Sequence, residues 1–154
     1  MTITAGVLGD WLVEVAAYTD GTAPTTWTPL GGITEFTPPQ REKNFENDAE
    51  FDGTHWGSQI ATGISWTSEA TVKRPRATLA EDPGQAILLA AAEEILEGGF
   101  VHVRFSQRGV TPKAGKEGIA NVDLNDNGGP KTDQTTAALT LTGRGALIPF
   151  TVSP

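Results

Sequence analysis

Gly63-Ile64-Ser65-Trp66-Thr67-Ser68-Glu69-Ala70-Thr71-Val72-Lys73 decides the fold class. Ile64, Trp66, Ala70 and Val72 recur at every second position, with Ser68 between them, while Ser65, Thr67, Glu69, Thr71 and Lys73 occupy the alternate positions. A period of two places these sets on opposite faces of a strand, so the stretch predicts a half-buried β-strand over 63–73. Its threonines suit the pleat, because a branched Cβ packs well on a strand surface. Working outward, the same alternation recurs at 10–18, where Trp11, Val13 and Val15 share a face, and at 100–107, with Val101, Val103 and Phe105 inward and His102, Arg104 and Ser106 outward. Further strands are expected within 27–36, interrupted by Gly31-Gly32, and at 118–124, 134–143 and 146–152.

One helix breaks the pattern. Asp82-Pro83 is a start signal, since Asp accepts hydrogen bonds from the first free N–H groups and Pro suits the first helical position. Ile87, Leu88, Ala91, Ile95 and Leu96 form the apolar stripe, and Gly98-Gly99 supplies a stop, which predicts a helix over about 82–97. Segments 19–29, 108–118 and 125–133 read as loops or turns. Segment 37–62 reads as a long extended loop that opens with Pro38-Pro39 and carries dense charge together with Phe45, Phe51 and Trp56. Unstructured loops beyond about 12–15 residues are uncommon, and disordered segments are poor in aromatics, so this loop is expected to order against a partner.

At 154 residues one domain is expected, 1–154, burying roughly 68–70% of its unfolded surface. Eleven Lys and Arg face nineteen Asp and Glu, for a net charge of −8, and cysteine is absent. Without Cys, thiolate chemistry and a disulfide framework are excluded. An acidic chain is poorly suited to gripping nucleic acid, which requires clustered cations. The charge is uneven. Residues 1–40 carry Asp10, Glu14, Asp20 and Glu35 with no cation, while Lys73, Arg74 and Arg76 make a short basic cluster. The longest apolar run, Ala86 to Ala92, falls far short of the ~20 residues a membrane helix needs, and the first residues lack the features of a signal peptide, so assembly in a cytoplasm with no membrane partner is expected.

Chemistry is sparse. His55 and His102 show no metal-ligand spacing, and no nucleophile elbow accompanies Ser58, Ser65 or Ser106. Asp123-Leu124-Asn125-Asp126-Asn127-Gly128 opens like a calcium loop, but its twelfth position is Gln134, so a turn is expected. No phosphate-cradling loop is present. The residues therefore predict no enzyme, cofactor or metal. Trp11, Trp27, Trp56 and Trp66 keep open a carbohydrate-binding β-sandwich with aromatic platforms.

The order of several loose motifs carries more. Trp27-Thr28-Pro29-Leu30-Gly31-Gly32-Ile33 and Phe36 precede the acid-rich loop with Phe51-Asp52 and Trp56-Gly57. Then follow Gly63-Ile64-Ser65-Trp66, the capped helix, Phe100-Val101-His102-Val103-Arg104-Phe105, Glu117-Gly118-Ile119-Ala120 and Leu139-Thr140-Leu141-Thr142-Gly143-Arg144-Gly145. In this order the chain resembles, along nearly its whole length, the major tail protein, or tail tube subunit, of long non-contractile-tailed bacteriophages, particularly those of actinobacteria. Many members carry an aromatic residue where this chain has Lys116. The resemblance implies a mainly β fold, a β-sandwich or barrel-like body with one flanking helix and extended termini. It implies a structural virion protein whose six-membered rings stack into a tube, with sheets of neighbouring copies joining edge to edge around a lumen. DNA passes through that lumen without specific binding, and a tape measure protein and tail-terminator and tail-tip proteins are the other partners implied. A tube subunit of a contractile injection system is the related alternative. In this frame the inter-subunit loop would use Arg41, Glu42, Phe45, Glu46, Asp48, Glu50, Phe51, Asp52 and Trp56. Lys73, Arg74 and Arg76 would form the complementary basic patch, and Glu69 and Asp123 would be lumen acids.

Overall fold

The computed structural model describes residues 2–50, 56–76 and 79–152. Seven strands and one α-helix make up the body: β1 (Trp11–Ala17), β2 (Thr28–Pro29), β3 (Ile33–Asn47), β4 (Gln59–Lys73), α1 (Pro83–Ala92), β5 (Phe100–Gln107), β6 (Ala114–Asp126) and β7 (Thr136–Thr151). They form one antiparallel sheet in the order β2-β1-β5-β6-β7-β4-β3. The mainly β body with one flanking helix is as expected.

The sheet folds back on itself, and β6 and β7 belong to both halves. β5 pairs with β6 only up to Asn121, whereas β4 pairs with β7 only up to Thr142. The first half therefore contains β2, β1, β5, the start of β6 and the end of β7; the second contains the end of β6, the start of β7, β4 and β3. The corner lies where the β6–β7 register shifts between Glu117 and Ile119, opposite Gly143 and Gly145. Glycine is required at 143 because a Cβ there would run into the Trp66 indole. At 145 the backbone adopts φ 80°, which glycine accepts without penalty. Trp66 seals the corner, with Nε1 donating to the Gly145 carbonyl at 3.2 Å. This is how strands change sheets in a sandwich, through a bend and a bulge. It also explains why 134–143 and 146–152 read as two strands but form one continuous β7.

Aromatic contacts join the halves. Trp11 meets Phe36 at 5.8 Å, Phe36 stacks on Phe105 at 6.2 Å, and Trp66 meets Phe105 edge-on at 5.9 Å. Val13, Val15, Val72, Val101, Val103, Leu139 and Leu141 fill the space between them.

The helix ends earlier than its sequence suggests, at Ala92 rather than 97. Glu94 N–H bonds to the Ala91 carbonyl, tightening the last turn, and Leu96 then takes φ 55°. Leu88 and Ala91 are buried as expected, but Ile95 and Leu96 leave the stripe and are 81% and 80% exposed. At the helix start the Asp82 carboxylate accepts from the N–H groups of Gln85 and Gly31, both at 3.1 Å. The buried Gln85 amide donates to the carbonyls of Gly31 and Lys73, both at 2.9 Å. One cap thus fixes α1 to the ends of both β-strand systems. Asp82→Ala is expected to lower stability by about 1–2 kcal/mol. In urea this should appear as a lower midpoint with an unchanged slope. A midpoint equal to the wild-type value would show that the cap does not anchor the helix.

The segment 37–62 is where the fold departs most from expectation. It is not an extended loop: β3 runs through Pro38-Pro39 to Asn47, and β4 starts at Gln59. The prolines are accommodated because β3 is an edge strand and they sit in a bulge between Thr37 and Gln40. Ser68, buried opposite that bulge, donates to the Thr37 carbonyl at 2.7 Å. Beyond Arg41 and Trp66 the two strands leave the body as a ribbon, paired with each other but with no third strand among the described residues. β1, β5 and the core end of β4 run between the α1 end of the sandwich and this arm end.

Candidate assembly surfaces

Cross-strand partners share a face, so the strand register locates the exposed acids. Asp123 lies opposite Thr140, Thr140 opposite Glu69, and Glu69 opposite Thr37. The neighbouring rows are Asn125-Ala138-Thr71-Glu35 and Asn121-Thr142-Thr67-Gln40. The two residues expected as lumen acids therefore stand in one row, two strands apart, about 10 Å at the usual strand spacing. They lie on the face of the second half that points away from the core. Glu35 joins them, and Glu42, paired with Ser65, and Glu46 continue the acidic line along the arm. Glu35, Glu42, Glu46, Glu69 and Asp123 are all exposed, and none makes an ion pair among the described residues.

The outer face of the first half is different. Arg104 binds Glu117 at 2.8 Å, and its guanidinium lies over Trp27 at 4.1 Å and over Phe150 at 4.5 Å. Lys113 pairs with the buried Glu14, and Arg144 covers Phe100 at 4.6 Å. This face is compensated by its own residues; the acidic face is not. His102 lies here between Tyr18 and Trp27. Burial pushes its imidazole below the ordinary 6.5, with Glu117 acting in the opposite direction. The unfolded chain therefore takes up the proton first as pH falls. Stability is full above pH 6.5 and is lost in the window below it, down to the lower folded value. The urea midpoint is expected to fall between about pH 7.5 and about pH 5.5, and less steeply in His102→Gln. Identical slopes in the two proteins would contradict this.

Two edges of the acidic half are open. β6 has no outer strand partner beyond Asn121, and β3 has none along its length, among the described residues. Each copy therefore offers a four-stranded unit, from the end of β6 to β3, with unpaired backbone on both sides.

Arg41, Glu42, Phe45 and Glu46 lie on β3 within the ribbon, and Asp48 and Glu50 lie beyond it, all exposed. Trp56 is 88% exposed. Phe51, Asp52 and His55 lie outside the described residues. The exposed Ile60 and Ile64, on the returning strand, are further apolar arm residues; Ile60 has no signal in the sequence, and Ile64, expected on the buried face with Trp66, Ala70 and Val72, is exposed because the ribbon stands clear of the body there.

The basic cluster divides. Arg74 is engaged within its own chain, bonding Glu81 at 2.6 Å and Gln85 Oε1 at 2.8 Å, with Asp126 at 3.9 Å. It braces the helix start against the end of β4. Lys73 and Arg76 remain exposed. Among the described residues no group of His, Asp or Glu is arranged to hold a metal ion, and no helix is long and apolar enough to cross a membrane.

The chain matches no protein-family model and no curated protein. Solved structures do match. One is a chain of the SPP1 tail tube, at 12% identity and TM-score 0.69, covering 96% of this chain and 80% of that one. Another is from the six-fold-symmetrised baseplate of the anti-feeding prophage, at 10% identity and TM-score 0.66, covering 97% of both chains. A third is from the tail of an empty gene transfer agent particle, refined with C6 symmetry, at 14% identity and TM-score 0.58, covering 94% and 98%. The chain thus has the tail-tube fold.

Proposed function

We propose that this chain is a structural virion protein, the subunit of a phage tail tube, whose copies close into six-membered rings and stack into a conduit for DNA. The observation that carries this reading is the four-stranded unit with two open edges and an uncovered acidic face. Open edges are a liability for a monomer and are removed when copies pair and the sheet closes. We assign the edge of β6 beyond Asn121 to pair with β3 of the next copy. Six such units then make one closed wall, and the six-fold symmetry of two structural neighbours supports that number. Glu35, Glu69 and Asp123 would line the lumen, where negative charge keeps a polyanion from adhering.

The arm, residues 41–66, takes the role assigned to the inter-subunit loop. A two-stranded ribbon is marginally stable alone, and this one exposes Phe45, Ile60 and Ile64, so it gains most by lying on an adjacent copy. Phe51 and Asp52 belong to the same stretch of sequence. Lys73 and Arg76 are the cations offered to its acidic residues. A tape measure protein sets the length of such an open stack, and terminator and tip proteins close its ends. The sugar-binding reading keeps a single exposed tryptophan, Trp56, and a lone ring is not a platform of several: Trp66 is buried, Trp11 packs on Phe36 and Trp27 is covered by Arg104. The baseplate neighbour supports a second reading, a tube subunit of a contractile injection system, which a tube that recruits an outer sheath would identify. Sedimentation and negative-stain microscopy of the purified protein test the proposal. Hexamers or tubes are expected; a monomer at every concentration, retained on a polysaccharide column, would overturn it.

A further inference from the structure

Two features at opposite ends of the sandwich match each other. At the α1 end, Ile95 and Leu96 form an apolar knob in which both side chains are about four-fifths exposed. Leu96 is the single non-glycine residue with positive φ among the described residues, an unfavourable conformation for a branched side chain. Glu93, Glu94 and Glu97 surround the knob, and none forms an ion pair among the described residues. At the arm end, the space between the half-sheets opens as a cavity of about 280 Å³. Its walls are apolar, formed by Trp11, Pro38, Pro39, Phe105 and Leu147, and its rim carries Arg41 and Lys116. Both cations are exposed and without an ion pair among the described residues.

We infer that the Ile95–Leu96 knob of one copy seats in the Trp11–Phe105–Leu147 cavity of a second copy, with the acids of the first on Arg41 and Lys116 of the second. The occupant is a second copy of this chain because the complement to the cavity, apolar at its centre and acidic at its rim, is present at the chain's own far end. The knob adjoins Phe100 and the cavity contains Phe105. Five steps along the strand separate these, roughly 17 Å at the usual rise, so one copy cannot fill its own cavity with its own knob. A head-to-tail contact of this kind is heterologous and repeats without limit unless its rotation closes. The inference rests on the tube reading and names one of the joints in it. It also gives Lys116 a role that its position in the strand pattern alone does not suggest.

The absence of native cysteine makes the test clean. Leu96→Cys combined with Pro39→Cys, oxidised under assembling conditions, is expected to give a ladder of covalent dimers, trimers and longer chains, while neither single variant gives more than dimers. Separately, Arg41→Glu with Lys116→Glu is expected to raise the concentration needed for assembly about tenfold or more, because like charges then face each other. Adding Glu94→Lys and Glu97→Lys to the same chain is expected to restore it. Unchanged melting curves establish that the variants fold. Wild-type tubes with no cysteine ladder and no effect of charge reversal would overturn this joint and leave the tube reading standing. A wild-type protein that never associates would overturn both.

Discussion

Trp66→Ala is expected to destabilise the protein by about 3–5 kcal/mol, the range for removing a large aromatic from a core. Trp66 is 3% exposed and meets three separate parts of the fold. It packs edge-on against Phe105 of the other half-sheet, lies against Gly143 where β7 bends, and bonds the Gly145 carbonyl. Gly118 of β6 adjoins the same ring, at a distance that leaves no room for a Cβ without adjustment. Alanine would leave a cavity at the corner, where Gly118 and Gly143 of the backbone that lies against the ring have no side chains to fill it. Domains of this size have about 5–15 kcal/mol in total, so the loss takes a large share. It corresponds to a fall in melting temperature of about 10 °C or more. Scanning calorimetry and urea titration measure it directly. A loss below about 1 kcal/mol would show that the corner does not depend on Trp66.

The second large effect concerns the arm. Replacing residues 44–63 by Asn-Gly joins Lys43 to Ile64, which already face each other across the ribbon, through a two-residue hairpin turn. None of the removed residues that the structure describes belongs to the buried core. The shortened chain is therefore expected to melt within about 3 °C of the full chain, since losing exposed ribbon removes little burial. Its assembly, in contrast, is expected to be abolished at concentrations where the full chain is polymerised. Sedimentation and microscopy on the two proteins make the comparison. Tubes formed by the shortened chain would show that the arm does not join copies.

Much of the body is legible in the sequence because each face has one environment. Residues 66–73 alternate cleanly since one side meets the core and the other meets solvent, whereas Ile64 carries the same spacing out into the exposed ribbon, and Asp82-Pro83 marks the helix start through local hydrogen bonding alone. The arm was not legible for the converse reason. Exposed on both faces, it carries no apolar alternation, and the register shift near Asn44 and Phe45 erases what periodicity remains. Pro38-Pro39 read as a break, although an edge-strand bulge accommodates them. The end of α1 is not legible because Ile95 and Leu96 continue the helical spacing that the tightened last turn interrupts. For the site, Glu69 and Asp123 are expected lumen acids that the pairing places in one row. Arg74 lies in the basic cluster by sequence but is held by Glu81 and Gln85, contacts made across the fold that spacing cannot reveal.

A reconstruction of the assembled tube by electron cryo-microscopy, at a resolution that traces strands, tests the central claim most directly. The face of Glu35, Glu69 and Asp123 is expected to form the lumen wall, with the end of β6 paired to β3 of the adjacent copy. A tube with that face outside or buried between subunits, and the Arg104–Trp27 face toward the lumen, would contradict it.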